Sequence, residues 1–360
     1  MSRPIRVELE ARSYDIHSGP GLLPRAGELL GAALRPSRVF VLTHPAIVRL
    51  HGEALLGSLG SAEVILVPAG ERQKSLRRAA LLYDELLARG ADRKSVLLTF
   101  GGGVIGDLGG FVAATYMRGL PFVQIPTTLL AQVDASVGGK VAVDHPHAKN
   151  LIGAFYQPRL VLADSGVLQT LPARDYRTGL AEVVKHGVIA DAALFAWMEA
   201  SVRAIATRDP AAIGHMVTRS CEIKADVVRQ DERESGLRAI LNFGHTVGHA
   251  LESITGYRAL RHGEAVALGM VAAARLSEQL GLCDREVGER TERLLTALRL
   301  PTRIPGISAE EILHAMQSDK KAVRGTPRFV LPREIGRVEI ISDVPRETLL
   351  RALLATGAAG

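Results

Sequence analysis

The sequence predicts two domains: an α/β domain built on a mostly parallel sheet, followed by an all-α domain. Three observations lead to this prediction. The chain has 360 residues, more than one hydrophobic core usually spans. Short apolar runs alternate with amphipathic helical patterns in the first half. After Leu171-Pro172 the pattern is helical almost throughout, so we expect the domains to be 1–171 and 172–360.

The α/β prediction depends on five short apolar runs with the length and composition of buried strands. They are Val39–Leu42, Val64–Val67, Val96–Phe100, Phe122–Ile125 and Leu160–Leu162. Amphipathic helical patterns lie between them, for example at Ser75–Arg89 and Gly106–Tyr116. Helical connections join parallel strands, so we expect helices on both faces of the sheet.

A glycine-rich segment follows the third of these strands and satisfies the G-x-G-x-x-G pattern. Its glycines are Gly101, Gly103 and Gly106. Such glycines let the backbone approach a pyrophosphate, and the helix N-terminus supplies N–H donors. The pattern is weak evidence alone, because a tight turn without a ligand looks the same. The next strand, Phe122–Pro126, also lacks a carboxylate for a ribose, and Glu71 in the loop Pro68–Lys74 is a candidate for that contact.

The segment from Pro126 to Lys140 combines hydroxyls, a carboxylate, paired glycines and a lysine, and Lys149-Asn150 follows closely. Lysine and asparagine donors among glycines suit an anion such as phosphate. The alternative is a solvated polar connection. Only eight of the 44 basic residues are lysines, so each retained lysine is a candidate for a position that needs a compact ammonium.

Helical patterns fill most of the second half. They are Arg174–Ile189, Ala192–Ala206, Pro210–Arg233, His245–Thr255, Glu264–Leu280 and Asp284–Leu298. Only Arg328–Leu331 and Val338–Ile341 look extended, and we expect them to pair as a hairpin. On the first helix, Glu182 and Lys185 are three residues apart in an apolar stretch and share a face. A carboxylate in such a stretch is either paired with the lysine or is a metal ligand.

Three of the 11 histidines fall in one short stretch, at His245, His249 and His262. His245 and His249 are four residues apart and share a helix face, and His262 opens the next helical pattern. Converging neutral imidazoles indicate a divalent metal, most often zinc. The spacing alone makes His245 and His249 look like a ligand pair, although His249 by itself is equally typical of a hydrogen-bonded core histidine.

Composition argues against several classes of function. The net charge of +6 is scattered, and aromatic residues are only 4% of the chain, so a nucleic-acid partner is not expected, whereas a small anionic substrate is. No apolar run is long enough to span a bilayer, so no membrane partner is expected. The first residues show no secretory signal, and Cys221 and Cys283 lack metal-ligand spacing. A reduced, cytoplasmic protein is therefore expected.

The motifs together resemble those of the 3-dehydroquinate synthase family, within the sugar phosphate cyclases. In chain order they are GGGVIGDLGGF, IPTTLLAQVDASVGGK, KNLIGAFYQP, GLAEVVKHG, LNFGHTVGHALE and HGEAVALGM. The resemblance covers nearly the whole chain. It implies a Rossmann-like N-terminal domain for NAD, a helical C-terminal domain for zinc or cobalt, and a homodimer with substrate between the domains.

The resemblance also implies an NAD- and metal-dependent carbon–oxygen lyase, a phosphate-eliminating cyclase of the shikimate pathway to aromatic amino acids. The implied substrate is 3-deoxy-D-arabino-heptulosonate 7-phosphate, and the products are 3-dehydroquinate and phosphate. A ring hydroxyl is oxidised transiently by NAD, phosphate leaves, the hydride returns, the ring opens and an aldol closure forms the carbocycle. NAD is therefore not consumed, and the substrate phosphate serves as its own base.

Specific residues receive roles from the same resemblance. The implied metal ligands are Glu182, His245 and His262. The implied NAD contacts are Gly70, Glu71, Lys74, Gly103, Val104, Ile105, Gly106, Asp107, Thr127, Thr128, Lys140 and Lys149. The implied substrate site consists of Asp134, Lys140, Lys149, Asn150, Lys185, Lys224, Arg238, Asn242 and His249, with Arg118 reaching the phosphate bound to the neighbouring subunit. Ala69 departs from the family, because relatives often carry Asp in this loop.

Three other functions remain open on the sequence. The first is a related sugar phosphate cyclase that makes an inositol-like or valiolone-like ring, but Lys149-Asn150 and the pair Lys224 and Arg238 favour a substrate with a carboxylate. The second is a metal-dependent polyol dehydrogenase, which usually has Asp rather than Glu at the metal and fewer lysines. The third is a non-enzymatic metal- or nucleotide-binding regulator, which nothing beyond the ordinary globular parts supports.

Overall fold

The computed structural model describes residues 3–317 and 328–360, which divide into two compact units. The first unit contains the residues up to Tyr176 together with Pro210–Arg233, and the second contains Arg177–Asp209 and Glu234–Gly360. The predicted boundary at residue 171 lies close to the first change of unit. It assigns Pro210–Arg233 to the second domain, however, whereas the structure groups this segment with the first unit.

A seven-stranded, mostly parallel sheet forms the centre of the first unit. The strands of this unit are β1 (Ile5–Val7), β2 (Tyr14–Gly19), β3 (Val39–Thr43), β4 (Glu63–Leu66), β5 (Val96–Gly101), β6 (Phe122–Pro126), β7 (Lys140–His145), β8 (Ala148–Phe155) and β9 (Leu160–Asp164). The order across the sheet is β1-β2-β9-β6-β5-β3-β4, while β7 and β8 form a separate antiparallel hairpin. Only β1 and β2 pair antiparallel within the sheet. The predicted parallel sheet is confirmed.

Helices cover both faces of this sheet. The helices of the unit are α1 (Ala26–Ala33), α2 (Pro45–Leu59), α3 (Leu76–Ala88), α4 (Gly103–Thr115) and, later in the chain, α8 (Pro210–Gln230). Phe40 and Leu42 of β3 share a core with α3 and α4, and Val41 between them is buried on the opposite face, where α2 contacts β3. Helix α8 packs against β1 and β2. Its periodicity predicts an apolar face but not the surface that covers that face.

The second unit is built around one central helix. Its elements are α5 (Ala173–Ala190), α6 (Ala192–Ala200), α7 (Val202–Ala206), α9 (His245–Ile254), α10 (His262–Gln279), α11 (Arg285–Ala297), α12 (Ala309–Gln317), β10 (Phe329–Glu334), β11 (Arg337–Ile341) and α13 (Arg346–Ala355). Helix α10 contacts α9, α11, α13 and β10. The predicted hairpin is confirmed as β10–β11, and the helix predicted over 192–206 is divided at Ser201. Among the described helices, none combines the length and hydropathy of a membrane span.

Candidate functional site

The glycine-rich segment lies at the point where the strand order of the sheet reverses. From β3 the chain passes outward to β4 and then returns to the other side of β3 as β5. Adjacent connections leave such a point in opposite directions, so a crevice opens beyond the carboxyl ends of β3 and β5. Gly101 ends β5 and Gly103 begins α4. The segment therefore lies where parallel α/β sheets bind nucleotides. It follows β5, whereas the usual dinucleotide-binding segment follows the first strand of its sheet.

Helix α4 approaches the sheet closely because glycines face the strands. A Cβ on Gly106 would lie 2.7 Å from Gln124 Oε1, and one on Gly109 would lie 2.4 Å from Thr99 Cγ2. The helix begins at Gly103, earlier than the predicted start at Gly106, so all five predicted contacts from Gly103 to Asp107 are in its first turn. The N–H groups of Gly103, Val104 and Ile105 are unpaired donors of a helix N-terminus and suit a pyrophosphate, whereas the Gly106 N–H donates to the Gly102 carbonyl at 3.1 Å.

The predicted threonine pair lies directly across from these glycines. The Thr127 N–H donates to the Gly101 carbonyl at 2.9 Å, and a Cβ on Gly102 would lie 3.0 Å from Thr128 Cγ2. Thr128 Oγ1 accepts the Ala131 N–H at 3.2 Å and so begins the helical turn that follows. The ends of β5 and β6 thus bring together two motifs that are 20 residues or more apart on the chain.

Lys74 joins the nucleotide-binding residues of the first unit to a predicted substrate residue. Its Nζ donates to Asp107 Oδ2 at 2.5 Å and to Asn150 Oδ1. Burial lowers the pKa of Lys74, but the charge and hydrogen bond of Asp107 outweigh burial and raise it, so the ammonium remains charged. Glu71, the candidate ribose contact, is exposed and pairs with Lys149, with 3.5 Å between Lys149 Nζ and Glu71 Oε1.

Two further predicted substrate residues, Asp134 and Lys224, contact each other. Asp134 lies on a short π-helix, Ala131–Ala135. Lys224 on α8 donates through Nζ to Asp134 Oδ1 at 2.6 Å and also to the Asp134 carbonyl. The π-helix is fixed by the buried Gln132, whose Nε2 donates to the Pro126 carbonyl at 3.0 Å and to the Asp164 carbonyl at 2.8 Å. The sequence analysis assigned no role to Gln132, although it lies inside a motif that carried the resemblance.

Arg118 is separated from this cluster by the length of α4. The helix has 13 residues and so spans about 20 Å. Arg118 lies beyond its C-terminal end, opposite the glycine segment, and is exposed. Met117, Arg118 and Gly119 all have positive φ, at 49°, 65° and 129°. Consecutive left-handed residues store strain that is typical of functional turns. The structure therefore supports an outward-facing role for Arg118, and its contact with a neighbouring subunit stays a prediction.

Close backbone packing of three helices builds the metal cluster of the second unit. A Cβ on Gly269 of α10 would lie 1.8 Å from the Gly244 carbonyl, which immediately precedes α9. A Cβ on Gly263 would lie 2.0 Å from the Thr178 carbonyl of α5. The first turn of α10 is fixed by Glu264, whose carboxylate accepts the Arg261 N–H at 2.8 Å. These contacts bring the first residues of α9 and α10 to the middle of α5.

The three predicted metal ligands converge there. Glu182, His245 and His262 offer ligand atoms that all lie within 4.8 Å of one another. Glu182 Oε1 is 3.6 Å from His245 Nε2 and 3.3 Å from His262 Nε2. Two ligands about 2.1 Å from a tetrahedral zinc ion are about 3.4 Å apart, so these separations fit one ion. Two imidazoles and one carboxylate are also the ligand set of a catalytic zinc site, which keeps a position open for substrate.

Hydrogen bonds on the far side of each imidazole orient it toward this cluster. His245 Nδ1 is 3.0 Å from the Phe243 carbonyl, and His262 Nδ1 is 3.3 Å from Glu252 Oε2. Both oxygens only accept hydrogen bonds, so Nδ1 of each ring carries a proton and Nε2 is the nitrogen that faces the cluster. Burial lowers the pKa of His262 most, yet Glu182 and Glu252 together raise it to about 10, and burial holds the pKa of His245 well below its usual value.

Glu182 lies in a strongly cationic environment. It is fully buried, and Lys185 beside it is 1% exposed and pairs with Glu182 Oε2. The geometry is compatible with both possibilities left open by the sequence, because one carboxylate oxygen faces the lysine and the other faces the histidines, and the metal-ligand role of Glu182 stays a prediction. The same carboxylate would balance part of the positive charge of a divalent ion bound at the histidines.

Glu252 is a functional candidate that the sequence analysis missed. It follows His245 and His249 at i+7 and i+3 on α9, so its carboxylate lies on the same helix face as the histidines, and this spacing is the signal in the sequence. In the structure Glu252 is buried. His249, Glu252 and His262 form an alternative metal-ligand group in the structure. The Nδ1 proton of His262 favours Glu252 as the partner that orients His262 over Glu252 as a ligand.

Replacing Glu252 by glutamine is expected to weaken zinc binding about 10- to 100-fold, because the acceptor for His262 loses its charge. The loss is measured by competition with a chromogenic chelator. The exposed Glu286→Gln variant is the matched control and is expected to bind zinc like the unmodified chain. Unchanged zinc affinity of the Glu252→Gln variant would contradict the orienting role.

The remaining predicted substrate residues of the second unit are near the same helices. Arg238 is buried in a short 3-10 helix, Leu237–Asn242, that leads toward α9. The Asn242 amide donates to Glu234 Oε1 at 2.7 Å, and Glu234 has a positive φ of 60°. The His249 ring is edge-on to His245, with 5.3 Å between ring centroids. His249 thus belongs to the metal neighbourhood, and its part in substrate binding stays a prediction.

Family models match both parts of the chain. The model described as 3-dehydroquinate synthase N-terminal matches residues 64–178, and the model described as 3-dehydroquinate synthase C-terminal matches residues 179–322. A 3-dehydroquinate synthase of Desulforamulus reducens is 49% identical over 354 residues, covering 97% of this chain and 99% of the relative.

Two solved structures have the same fold. One is ValA, a 2-epi-5-epi-valiolone synthase from Streptomyces hygroscopicus subsp. jinggangensis with NAD+ and Zn2+ bound. It has a TM-score of 0.88 and 30% identity, and the match covers 97% of this chain and 98% of that one. The other is a 2-deoxy-scyllo-inosose synthase complexed with carbaglucose-6-phosphate, NAD+ and Co2+. It has a TM-score of 0.89 and 24% identity over 99% of this chain and 100% of that one, and it bears on the fold alone.

Proposed function

This chain is a member of the 3-dehydroquinate synthase family, and we propose how its residues divide the work of converting a seven-carbon 3-deoxy sugar-acid phosphate into 3-dehydroquinate and phosphate. The proposal is carried by the presence of two features in one chain. They are a glycine segment at the strand-reversal point and a buried carboxylate–histidine cluster. The first feature suits a nucleotide and the second suits a divalent ion. We assign the chain to the phosphate-eliminating lyases.

The residues present fit both cofactors of the family. Glu182, His245 and His262 would hold zinc or cobalt, and the first turn of α4 with Lys74 and the threonine pair would hold NAD. When bound, NAD takes up and later returns one hydride, while the divalent ion polarises the substrate oxygen that changes between hydroxyl and ketone. Neither cofactor is consumed, because NAD and the divalent ion are the same after each turnover as before it.

Each unit has described polar donors that suit an anionic group of the substrate. Lys224, fixed by Asp134, the exposed Lys140 and the partly buried Lys149 offer ammonium groups in the first unit. Lys185, Arg238 and Asn242 offer donors in the second unit, beside the metal ligands. A phosphate and a carboxylate together carry up to three negative charges, so this number of donors suits a substrate with both groups.

Elimination and ring closure need little further from the protein. Oxidation beside a C–H bond acidifies that bond, and the departing phosphate accepts the proton as it leaves. His249, next to the metal ligands, is assigned as a donor or proton carrier for the oxygen that changes oxidation state. Because the hydride returns to the substrate, the net redox change is zero.

The direct test is an assay with the purified chain, 3-deoxy-D-arabino-heptulosonate 7-phosphate, a catalytic amount of NAD, and zinc. We expect equal amounts of inorganic phosphate and 3-dehydroquinate, with many turnovers per NAD and no accumulation of absorbance at 340 nm. Steady accumulation of NADH would indicate a polyol dehydrogenase instead. Release of phosphate only from a heptulose phosphate that lacks the carboxylate would indicate a valiolone-type cyclase.

The sequence relationships favour the first of these outcomes. The relative that makes 3-dehydroquinate shares 49% identity, against 30% for the valiolone synthase. The metal carboxylate is Glu182, whereas polyol dehydrogenases usually have Asp. The homodimer, the action of Arg118 across it and the cytoplasmic location stay predictions.

A further inference from the structure

Asp144 closes a ring of hydrogen bonds within the first unit. The Asp144 N–H donates to the Lys74 carbonyl at 2.8 Å, and Asp144 Oδ1 accepts the Asn150 N–H at 2.8 Å. Lys74 Nζ then donates to Asn150 Oδ1, which completes the ring. The three residues come from three separate segments, namely the loop before α3, strand β7 and strand β8. No motif in the sequence assigns Asp144 a role.

The backbone at Asn150 requires such a restraint. Asn150 has a φ of 53°, a left-handed conformation that asparagine adopts more readily than most residues but at a cost. The pairing of β7 with β8 is irregular at Asp144: Val143 pairs with Ile152 and His145 with Ala148, so three residues of β8 lie opposite Asp144 and the bulge is at Asn150. A bulge of this kind re-aims a side chain. Here the bulge turns the N–H of the strained Asn150 toward the Asp144 carboxylate.

The same ring reaches the nucleotide-binding residues. Lys74 has three N–H donors, and its side-chain partners among the described residues are Asp107, in the first turn of α4, and Asn150. One donor therefore remains for a ligand. If Asn150 turned away, Lys74 would be held by Asp107 alone and its direction would no longer be fixed.

We propose that Asp144 is a positioning residue, which holds Asn150 against Lys74 and so joins the nucleotide-binding and substrate-binding residues of the first unit into one network. The proposal rests on the roles assigned above to Lys74 and Asn150. If Asp144 only stabilised the hairpin turn, its replacement would affect β7 and β8 but not Lys74, which lies on another loop. The proposed role therefore differs from that of a turn residue.

The test is a titration of NAD in the absence of substrate, combined with steady-state kinetics. The variants are Asp144→Ala, Asp144→Asn, Asn150→Ala and the double variant Asp144→Ala/Asn150→Ala. The exposed Asp226→Ala, which removes surface contacts with Arg229 and Gln230, is the matched control. Since one hydrogen bond contributes about 0.5–1.5 kcal/mol, we expect about a three- to tenfold rise in the Kd of NAD for Asp144→Ala and for Asn150→Ala.

Three further results are expected. The KM for the sugar phosphate rises with the Kd of NAD while kcat changes less, because the network positions binding groups. Asp144→Asn restores both constants, since its amide oxygen accepts the same N–H. The double variant is no worse than Asn150→Ala, because the two substitutions break one ring.

The proposal is overturned if the Kd of NAD stays unchanged in Asn150→Ala, or if the two single effects add in the double variant. It is also overturned if Asp144→Asn behaves like Asp144→Ala. The NAD titration contains no sugar phosphate, so it reports on the ring even if the chain acts on another substrate. Should Asp144→Ala fail to fold, Asn150→Ala and Asp144→Asn still decide the matter.

Discussion

The His245→Ala variant is expected to lose zinc and nearly all activity, whereas His249→Ala is expected to keep zinc. His245 Nε2 faces Glu182 Oε1 at 3.6 Å with its tautomer fixed by the Phe243 carbonyl, so its loss removes one of three ligands. Lewis-acid stabilisation amounts to several kcal/mol, and losing it lowers kcat by about 10³-fold or more. For His249→Ala, the loss of a proton carrier predicts a fall in kcat of about 10²- to 10⁴-fold.

Zinc content by mass spectrometry and the kcat for phosphate release together check this division. The exposed His215→Ala variant is the control and should retain both zinc and activity. The alternative ligand group of His249, Glu252 and His262 makes the opposite prediction, with zinc lost from His249→Ala and retained by His245→Ala. One measurement therefore decides between the two groups.

The Gly269→Ala variant is expected to destabilise the helical unit by about 3 kcal/mol and to lose zinc as well. The added methyl would lie 1.8 Å from the Gly244 carbonyl, and backbone cannot move aside as a flexible side chain can. Helices α9 and α10 would have to separate, and they carry His245 and His262. Urea denaturation measures the change in the free energy of unfolding, and chelator competition measures zinc affinity.

Two other glycines make this a graded series. At Gly248 the nearest atom to a Cβ is the Ala265 carbonyl oxygen at 3.1 Å, so Gly248→Ala is expected to destabilise less. At Gly214, on α8, nothing lies within 4 Å, so Gly214→Ala should stabilise by about 0.5–1 kcal/mol, as alanine does in an open helix position. Equal effects at all three positions would show that contact between α9 and α10 is not what requires Gly269.

The elements that sequence patterns located well are those with a strong local period. All five predicted strands form part of the sheet, and the helix predicted at 284–298 is observed at Arg285–Ala297. The patterns missed β1 and β2, which have three and six residues, and the hairpin β7–β8, whose region was interpreted as an anion-binding segment or a solvated polar connection. Strand β8 is exposed along most of its length and so lacks the apolar alternation by which strands are recognised.

In the candidate functional site too, some residues are located by local sequence patterns and others are recognised only from their contacts. Glu182, His245 and His262 were assigned from motifs, and the structure brings them together. Glu252, Gln132 and Asp144 were not assigned, because each acts through a partner that is distant along the chain or aimed by an irregular backbone. A single carboxylate or amide in a sequence shows no partner, so its role emerges only from contacts.

The sequence by itself determined the alternation of strands and helices in the first half, the helical character of the second half, the family and the residue types of the metal and nucleotide sites. These follow from local periodicity and from chemistry that requires particular side chains at fixed spacing. Only the tertiary structure decided that α8 belongs with the sheet, that Glu252 orients His262, and that Asp144 joins Lys74 to Asn150. The physical reason is that local patterns specify which face of an element is apolar or polar, whereas the partner of that face is selected by packing across the whole unit.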